Sequence, residues 1–311
     1  MQTIGCPLCP EGTPGRPYHR EAGYEAMQCV GCGLVYVTPR PSEDEMKRLY
    51  EGQDTHIDLG AQIAKRHRKI AEAHAALEVL APHAQGGRLL EIGVGAGYFL
   101  DEARRRGFEV TGLDINAHFV RFARDALGLA VIEGTLGTAK LPNGAFDVLF
   151  HRNVLSHLAY PVTEIARMAE LLRPGGIMLF ETGNVAELPG ETWRGTDALA
   201  LPDHLFHFSE ATLRQLLDRT GFECVEVRRL AVLDALPPIW ALRRALARPG
   251  ASSGAPGRAR APFEPPFAPP ARLPLATALA RAHRRLTNAA GQLLGSHGRR
   301  CSLVVVARRL P

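Results

Sequence analysis

The chain has 311 residues, which is enough for one large domain with a smaller appendage. Hydrophobic residues make up 46% and charged residues 22%, as in ordinary globular proteins, so wholesale disorder and a collagen-like chain are excluded. The formal net charge of +5 is unevenly divided, because residues 231–311 carry 13 arginines and two acidic residues whereas residues 1–230 are net acidic. No apolar run is long enough to predict a membrane-spanning helix. The first ten residues lack an apolar core, so we expect no secretory signal.

Four cysteines near the N-terminus form two C-x-x-C pairs, Cys6 with Cys9 and Cys29 with Cys32. Such pairs place four thiolates where one tetrahedral Zn²⁺ can bind them, so we assign residues 1–41 to a zinc ribbon. Four thiolates leave no coordination position open, which predicts a structural site. The alternative is two unrelated pairs of buried or redox-active cysteines. The two remaining cysteines complete no disulfide framework, and we therefore expect a cytoplasmic protein.

Residues 42–84 are predicted to form a helical lid or linker. Ser42 followed three residues later by Glu45 is a capping-box pattern and indicates a helix start. A second helix is expected from Leu59 to Leu80, because apolar residues recur there on one helical stripe.

Residues 85–235 alternate short apolar runs with amphipathic helical stretches. This alternation predicts parallel βαβ units and an open α/β sheet covered on both faces. Ligands of such sheets bind outside the C-terminal ends of the strands. The predicted strands are Arg88–Ile92, Glu109–Leu113, Ala130–Glu133, Asp147–Phe150, Ile177–Glu181 and Cys224–Leu230, and the predicted helices are Tyr98–Arg106, Ala117–Leu127, Val162–Leu172 and Glu210–Thr220.

Residues 236–300 read as a basic, proline-rich insertion with amphipathic helices. Eight prolines fall within 249–274, and a helix is expected from Leu275 to Leu294 with leucines on one face and arginines on the other. Residues 301–311 contain an apolar, β-branched run, which predicts a final core strand.

A glycine-rich turn follows the first core strand, with glycines at positions 93, 95 and 97. Glycine is needed where the backbone turns tightly and approaches a ligand closely. Asp114 ends the next strand, where a carboxylate can accept hydrogen bonds from two ribose hydroxyls. Turn and acid together predict a nucleoside site, and the alternative is a tight turn of purely structural role.

The segment Glu91–Gly97 together with Asp114 resembles the class I S-adenosylmethionine-dependent methyltransferases. Residues 146–151 (FDVLFH) are similar to that family's fourth strand, 171–176 (LLRPGG) to its helix-to-strand turn, and 220–222 (TGF) to its entry into the sixth strand. The cysteine pairs resemble a bacterial subgroup with an N-terminal zinc ribbon, whose members are similar to ubiquinone-pathway O-methyltransferases and to natural-product and sugar methyltransferases.

The resemblance implies a Rossmann-like seven-stranded sheet of order 3-2-1-4-5-7-6 with the last strand antiparallel. It also implies S-adenosylmethionine as cofactor, structural Zn²⁺, and methyl transfer to an oxygen or carbon of a small molecule such as a metabolite, sugar or lipid precursor. The residues expected to contact the cofactor are Glu91, Gly93, Gly95, Gly97, Asp114, Ile115, Thr135, Leu136, His151 and Asn153.

Three histidines are candidate catalytic residues, namely His157, His204 and His207. A hydroxyl or acidic carbon needs a proton acceptor with a pKa near the working pH, and histidine meets that need. The alternatives are a structural hydrogen bond for His157 and a packing role within a lid for the other two. The i, i+3 spacing of His204 and His207 also suits a metal ion, but no third ligand is evident nearby in the sequence.

Two other functions remain open. An RNA methyltransferase would use the zinc ribbon and the arginine-rich tail to hold RNA, although the net acidic residues 1–230 argue against nucleic acid. A non-catalytic interaction protein would retain only the fold. We also expect the basic insertion to contact an anionic membrane surface, with the alternative that its helices pack on the core and leave the arginine face solvated.

Overall fold

The computed structural model describes residues 1–42, 45–46, 59–193, 199–231, 274–294 and 301–311. Most of the predicted basic insertion, including nearly all of its proline-rich part, lies outside the described residues. The strands are β1 (Gly15–Glu21), β2 (Tyr24–Cys29), β3 (Val35–Val37), β4 (Gly87–Ile92), β5 (Phe108–Asp114), β6 (Val131–Glu133), β7 (Phe146–Arg152), β8 (Leu172–Gly183), β9 (Phe206–His207), β10 (Phe222–Ala231) and β11 (Cys301–Arg309).

The helices cover both faces of the main sheet or precede it in the chain. They are α1 (Leu59–Ala64), α2 (Arg66–Leu80), α3 (Tyr98–Arg105), α4 (Ala117–Leu127), α5 (Pro161–Leu171), α6 (Glu210–Arg219) and α7 (Pro274–Leu294). Among the described residues, none of these helices is both long enough and apolar enough to cross a membrane.

The main sheet has seven strands in the order β10-β11-β8-β7-β4-β5-β6. Strands β4 to β8 pair in parallel, and β11 pairs antiparallel with both β8 and β10. Numbered within the sheet, this is 3-2-1-4-5-7-6 with the last strand antiparallel, so the predicted fold class is confirmed. The central strands carry near-continuous apolar runs because helices cover both of their faces.

The helical region before the sheet differs from the prediction in one respect. The expected single helix from Leu59 to Leu80 is two helices, because Lys65 leaves the α-helical region with ψ 14°. Apolar periodicity could not show this break, since Ile63 before it and Ile70 after it pack in the same apolar cluster. The predicted cap is present, with Ser42 N donating to Glu45 Oε2 at 2.7 Å.

The N-terminal strands form a small sheet that is joined to the rest of the chain by main-chain pairing. Its order is β1-β2-β3-β9, and β9 comes from the segment after Leu205. In the β3–β9 pair, Val35 lies opposite His207 and Tyr36 opposite Phe206. This pairing attaches the cysteine-bearing ribbon to a segment that carries a candidate catalytic histidine.

Helix α7 lies against α2 with its basic side inward. Arg281 Nη2 lies 2.9 Å from Glu78 Oε1, and Arg284 Nη2 lies 3.5 Å from Glu181 Oε2. Three of its leucines face outward, since Leu275, Leu279 and Leu286 are 75%, 63% and 72% exposed. Helix α7 thus packs on the core, as the alternative above expects, but Arg281 and Arg284 face the core and Arg285 is largely solvated.

Candidate functional site

The glycine-rich turn after β4 has a backbone that favours glycine at each of its three glycines. The φ angles of Gly93, Gly95 and Gly97 are 74°, 54° and 76°, in the left-handed region. A Cβ at Gly93 would lie 2.5 Å from Val154 Cγ2, so the space there is also closed to a side chain. The turn thus brings bare backbone to the C-terminal end of β4, beside the segment that follows β7.

Asp114 ends β5 next to this turn and is fixed by two backbone donors. Gly95 N donates to its Oδ2 and Asn116 N to its Oδ1, both at 2.8 Å. Burial raises the pKa of the Asp114 carboxyl, and these backbone hydrogen bonds oppose the shift. Each oxygen retains a second lone pair, so the carboxylate can also accept hydrogen bonds from a ligand.

Glu91, on β4 just before the turn, is a buried acid with an unsatisfied oxygen. It is 4% exposed, and its Oε2 has no hydrogen-bond partner among the described residues. Burial raises the pKa of the Glu91 carboxyl well above its ordinary value, and the nearby Asp114 adds to the shift while Arg152 opposes it. A buried acid left in this way fits a cationic ligand at the same strand end.

Helix α1 contributes a side chain to the turn that sequence reasoning missed. Gln62 Oε1 accepts a hydrogen bond from Ala96 N at 3.2 Å and lies 3.1 Å from the position of a Cβ on Gly95. No motif in the sequence pointed to Gln62, because the contact joins segments 34 residues apart.

The remaining predicted cofactor residues lie at the ends of neighbouring strands. Ile115 is 47% exposed after β5, and Thr135 lies in an exposed turn after β6, where its N–H donates to Thr138 Oγ1. Leu136 is buried. Asn153, just after β7, has a φ of 55° and donates its N–H to the Glu181 carbonyl oxygen. Their cofactor contacts remain predictions.

His151 is placed differently from the other predicted cofactor residues. Its imidazole is fully buried and stacks on Phe180 with ring centroids 4.9 Å apart. Neither ring nitrogen has a hydrogen-bond partner among the described residues. The side chain lies in the core of the sheet, and its burial lowers the pKa of His151 to about 3. Its cofactor contact remains a prediction.

The buried His151 predicts a loss of stability in acid. Its pKa is depressed in the fold, so the unfolded chain binds the extra proton and stability falls as the pH drops below about 6.5. Between pH 7 and pH 5 we expect this residue to cost about 2 kcal/mol. Urea unfolding at both pH values should show a smaller acid loss for His151→Leu than for the unchanged protein. Replacing the exposed His118 by Gln should leave the loss unchanged, and an equal loss in all three proteins would contradict the prediction.

The three candidate catalytic histidines lie together. The His157 and His204 ring centroids are 4.7 Å apart, and those of His204 and His207 are 5.9 Å apart. His157 Nδ1 lies 3.0 Å from the Asp203 carbonyl oxygen, which sequence reasoning had not singled out. Burial lowers the pKa of His207 to about 3, with smaller contributions from the neighbouring histidines. Their catalytic roles remain predictions.

The four N-terminal cysteines form one cluster whose sulfur atoms lie within 4.8 Å of one another. The Cys6–Cys32 and Cys9–Cys29 sulfur pairs are each 3.6 Å apart. Tetrahedral Zn²⁺ with bonds of about 2.3 Å needs sulfurs about 3.8 Å apart, so the residues fit a zinc ion. Burial raises the pKa of the Cys29 thiol, but hydrogen bonds from the backbone N–H groups of Cys32 and Gly31 outweigh it and lower this pKa to about 7.

A comparison with protein families matches residues 63–227 to a methyltransferase domain. The chain belongs to this methyltransferase family. The match contains the glycine turn, Asp114 and His157, and it ends in β10.

Curated methyltransferases are similar over part of their length. A ubiquinone biosynthesis O-methyltransferase of Nitrosococcus oceani is 35% identical over 116 residues, which cover 35% of this chain and 49% of the relative. A tRNA U34 carboxymethyltransferase of Pseudoalteromonas translucida is 30% identical over 163 residues, covering 49% of this chain and 51% of the relative. The chain spans about half the length of these relatives.

Solved structures share the fold at low sequence identity. A putative sarcosine dimethylglycine methyltransferase from Galdieria sulphuraria has a TM-score of 0.50 and 13% identity, over 78% of this chain and 86% of that one. Phosphoethanolamine N-methyltransferase 2 of Haemonchus contortus, in complex with phosphomonomethylethanolamine and S-adenosylhomocysteine, has a TM-score of 0.50 and 15% identity, over 77% of this chain and 52% of that one. These likenesses concern the fold alone.

Proposed function

We propose that the protein transfers the methyl group of S-adenosylmethionine to an oxygen or carbon of a small molecule, such as a metabolite, sugar or lipid precursor. The observation that carries the proposal is the pair of buried acids at the glycine turn of a methyltransferase domain, Glu91 with an unsatisfied oxygen and Asp114 held by Gly95. When bound, the cofactor supplies an activated methyl group on a positively charged sulfur.

The chain's own residues bind and orient this cofactor. Asp114 accepts hydrogen bonds from the ribose hydroxyls with the lone pairs that Gly95 and Asn116 leave unused. Glu91 compensates positive charge of the methionine part, which explains why an acid is tolerated in the interior at that strand end. The positive φ angles of the turn allow the backbone to approach the ligand closely.

Because one oxygen of Glu91 is unsatisfied, we expect its replacement to stabilise the ligand-free protein and to weaken cofactor binding. Burial raises the pKa of the Glu91 carboxyl in the folded protein above its value in the unfolded chain. The free energy of unfolding therefore falls as the pH rises above about 4.5, the ordinary pKa of a glutamate, and at pH 8 the buried carboxyl destabilises the ligand-free protein. We expect Glu91→Gln to raise the Tm at pH 8 by at least about 3 °C, which corresponds to roughly 1 kcal/mol. The same change should weaken S-adenosylmethionine binding at least about tenfold.

Thermal unfolding at pH 4.5 and 8 and calorimetric titration measure both effects. The matched control is Glu133→Gln, which changes an exposed glutamate at the end of β6. A Glu91→Gln protein that is less stable at pH 8, or that binds the cofactor as tightly as before, would speak against the proposed charge pairing.

The acceptor must lose a proton before or during methyl transfer, and the mutual proximity of His157, His204 and His207 supports a role for them in this step. Val154 touches the glycine turn, and the short 3₁₀ turn Leu155–His157 leads from it to His157. At a rise of about 2 Å per residue, His157 lies roughly 6 Å along the 3₁₀ turn from Val154, the residue that touches the glycine turn. We assign deprotonation of the acceptor to His157 and His204, which are half-buried. His207 is buried behind them, and burial lowers its pKa to about 3, so it remains uncharged near neutral pH.

Transfer of a labelled methyl group tests the proposed function directly. The protein is incubated with methyl-labelled S-adenosylmethionine and with lysate separated into RNA, lipid and small-metabolite pools. We expect label in the small-metabolite or lipid pool, and none with the Asp114→Asn variant. Label confined to RNA would favour the RNA methyltransferase, and cofactor binding that fails altogether would favour a non-catalytic interaction protein.

We propose that the cysteine cluster binds one structural Zn²⁺. The support is the fit of the four sulfur atoms to a tetrahedral ion and the free state of all six cysteines among the described residues. Free thiols also support our expectation of a reducing, cytoplasmic location.

We further propose that α7 contacts an anionic membrane surface. The support is its outward leucine face within a region of strongly positive charge. Flotation with anionic vesicles should recover the protein, and Leu279→Glu should reduce the recovered fraction several-fold. Neutral vesicles and Ala278→Glu, a change at an exposed site off the leucine face, are the controls. Equal flotation of both variants would remove the proposal.

A further inference from the structure

Two separate segments bring three metal-binding side chains together at the C-terminal edge of the main sheet. Ligand atoms of His157, Asp203 and His204 all lie within 4.8 Å of one another. The sequence showed only the spacing of His204 and His207, with no third ligand nearby. The fold supplies the missing groups, because His157 comes from the turn after β7, 46 residues before Asp203.

One backbone hydrogen bond joins the two segments, and another fixes the turn that carries His204. Leu205 N donates to the Ser156 carbonyl oxygen at 2.8 Å, and His204 N donates to the Ala200 carbonyl oxygen at 3.0 Å. His157 Nδ1 lies 3.3 Å from Asp203 Oδ1, so the carboxylate already faces that imidazole. The ligand set is therefore preorganised by main-chain contacts next to each histidine.

The donor chemistry points to a class of ion. Two imidazoles and one carboxylate suit divalent transition metals such as Zn²⁺, Co²⁺ and Fe²⁺, whereas Mg²⁺ and Ca²⁺ prefer oxygen ligands. Three protein ligands leave coordination positions open, unlike the four-thiolate cluster of the ribbon. The His157 and Asp203 side chains are 25% and 20% exposed, so an ion can reach them from solvent.

We propose that His157, Asp203 and His204 bind a divalent transition-metal cation, and that this cation holds the oxygen of the methyl acceptor. The second part rests on the proposed methyltransferase function. The cation is distinct in place and ligands from the zinc of the cysteine ribbon. It specifies an acceptor that carries a hydroxyl, or two neighbouring oxygens, able to coordinate a metal.

Methyl transfer to the metal-bound oxygen would proceed in two steps. Coordination by the cation would lower the pKa of the acceptor hydroxyl, so that its proton passes to solvent. In the metal-bound site His157 and His204 are ligands of the cation, and this route replaces the direct proton abstraction assigned to them above. The oxygen lone pair forms the new C–O bond while the methyl C–S bond breaks and its electron pair remains on sulfur, giving a neutral thioether. The negative charge of the oxygen and the positive charge of the sulfonium are both lost in the transfer.

Metal content of the full chain provides the first test. After equilibration with Zn²⁺ and dialysis, we expect two zinc ions per chain in the unchanged protein. Asp203→Asn and His204→Gln should each retain one, as should Cys9→Ser through loss of the ribbon ion. The control His118→Gln, at an exposed position on α4, should retain two. One ion in the unchanged protein, or two in His204→Gln, would overturn the proposal.

Cobalt separates the two sites spectroscopically and guards against loss of folding. In the Co²⁺-loaded protein, His204→Gln should keep the thiolate-to-cobalt charge-transfer band of the ribbon and lose the second cobalt ion. If His204→Gln loses both signals because it does not fold, Asp203→Asn, the more conservative change, decides the question. It should lose the second ion alone. Retention of both ions in Asp203→Asn would contradict the assigned ligand set.

Cofactor binding and metal binding can be measured independently of each other. Calorimetry with S-adenosylhomocysteine does not depend on the acceptor. Binding without a second metal ion would remove the inference and leave the methyltransferase proposal standing. A second metal ion without any cofactor binding would keep the site and remove its role in methyl transfer.

Discussion

Replacing Asp114 by Asn is expected to weaken S-adenosylhomocysteine binding about 100-fold, or about 3 kcal/mol. Both carboxylate oxygens already accept a backbone N–H, one from Gly95 and one from Asn116. An amide cannot replace them, because whichever way it turns, its NH₂ group meets one of these donors. The variant also loses the negative charge that strengthens hydrogen bonds from the ribose hydroxyls.

Calorimetric titration of both proteins measures this effect. Asp125→Asn is the matched control, because Asp125 is an exposed carboxylate on α4 and should bind the ligand as the unchanged protein does. Circular dichroism should show that Asp114→Asn remains folded, since burial of the charged Asp114 is itself unfavourable. Equal affinity of Asp114→Asn and the unchanged protein would show that the ligand does not contact this carboxylate.

Loss of the Zn²⁺ ion that we propose for the cysteine cluster is expected to have the largest effect on local stability. Structural Zn²⁺ in small metal domains contributes about 10 kcal/mol or more to folding. We expect Cys9→Ser to lose the ion and to raise amide exchange in β2 and β3 at least about 1000-fold. Because β9 pairs with β3, the amides at Phe206 and His207 should lose protection too.

Hydrogen exchange followed by mass spectrometry can locate these changes. Strands β4 and β5 should keep their protection, since they belong to the seven-stranded sheet. Cys224→Ser is the control, because Cys224 is a partly buried cysteine outside the cluster. Unchanged zinc content and unchanged protection of β3 in Cys9→Ser would contradict the assignment of the cluster.

Local patterns were sufficient to predict the core elements. The apolar runs and the helical stripes between them gave the strands of the seven-stranded sheet to within a few residues, because both periodicities are properties of neighbouring residues. The exception is β8, which starts five residues earlier than expected at Leu172, pairing with Phe146. The strand order came from the resemblance and is confirmed by the pairing.

Contacts between distant segments could not be predicted. The ribbon's pairing with β9, the Gln62 contact to the glycine turn, and the meeting of His157 with Asp203 each join residues far apart in sequence. No short-range pattern carries information about such pairs. For the same reason the sequence could place His204 in a candidate metal pair but could not find its partners.

The orientation of α7 shows a second limit of pattern reading. Its sequence has an apolar and a basic face, and a typical amphipathic helix turns the apolar face inward. Here Arg281 and Arg284 lie toward the core, where they meet Glu78 and Glu181, while Arg285 stays largely exposed. An amphipathic pattern identifies two faces, but it does not show which of them a partner surface covers.

A crystal structure with S-adenosylhomocysteine tests the central claim most directly. We predict that the nucleoside lies over the turn from Gly93 to Gly97, with its ribose hydroxyls within hydrogen-bond distance of the Asp114 carboxylate and its charged amino group near the strand end at Glu91. A ligand bound elsewhere on the protein, or crystals that take up none at millimolar concentration, would contradict the proposal that this strand end holds a methyl donor.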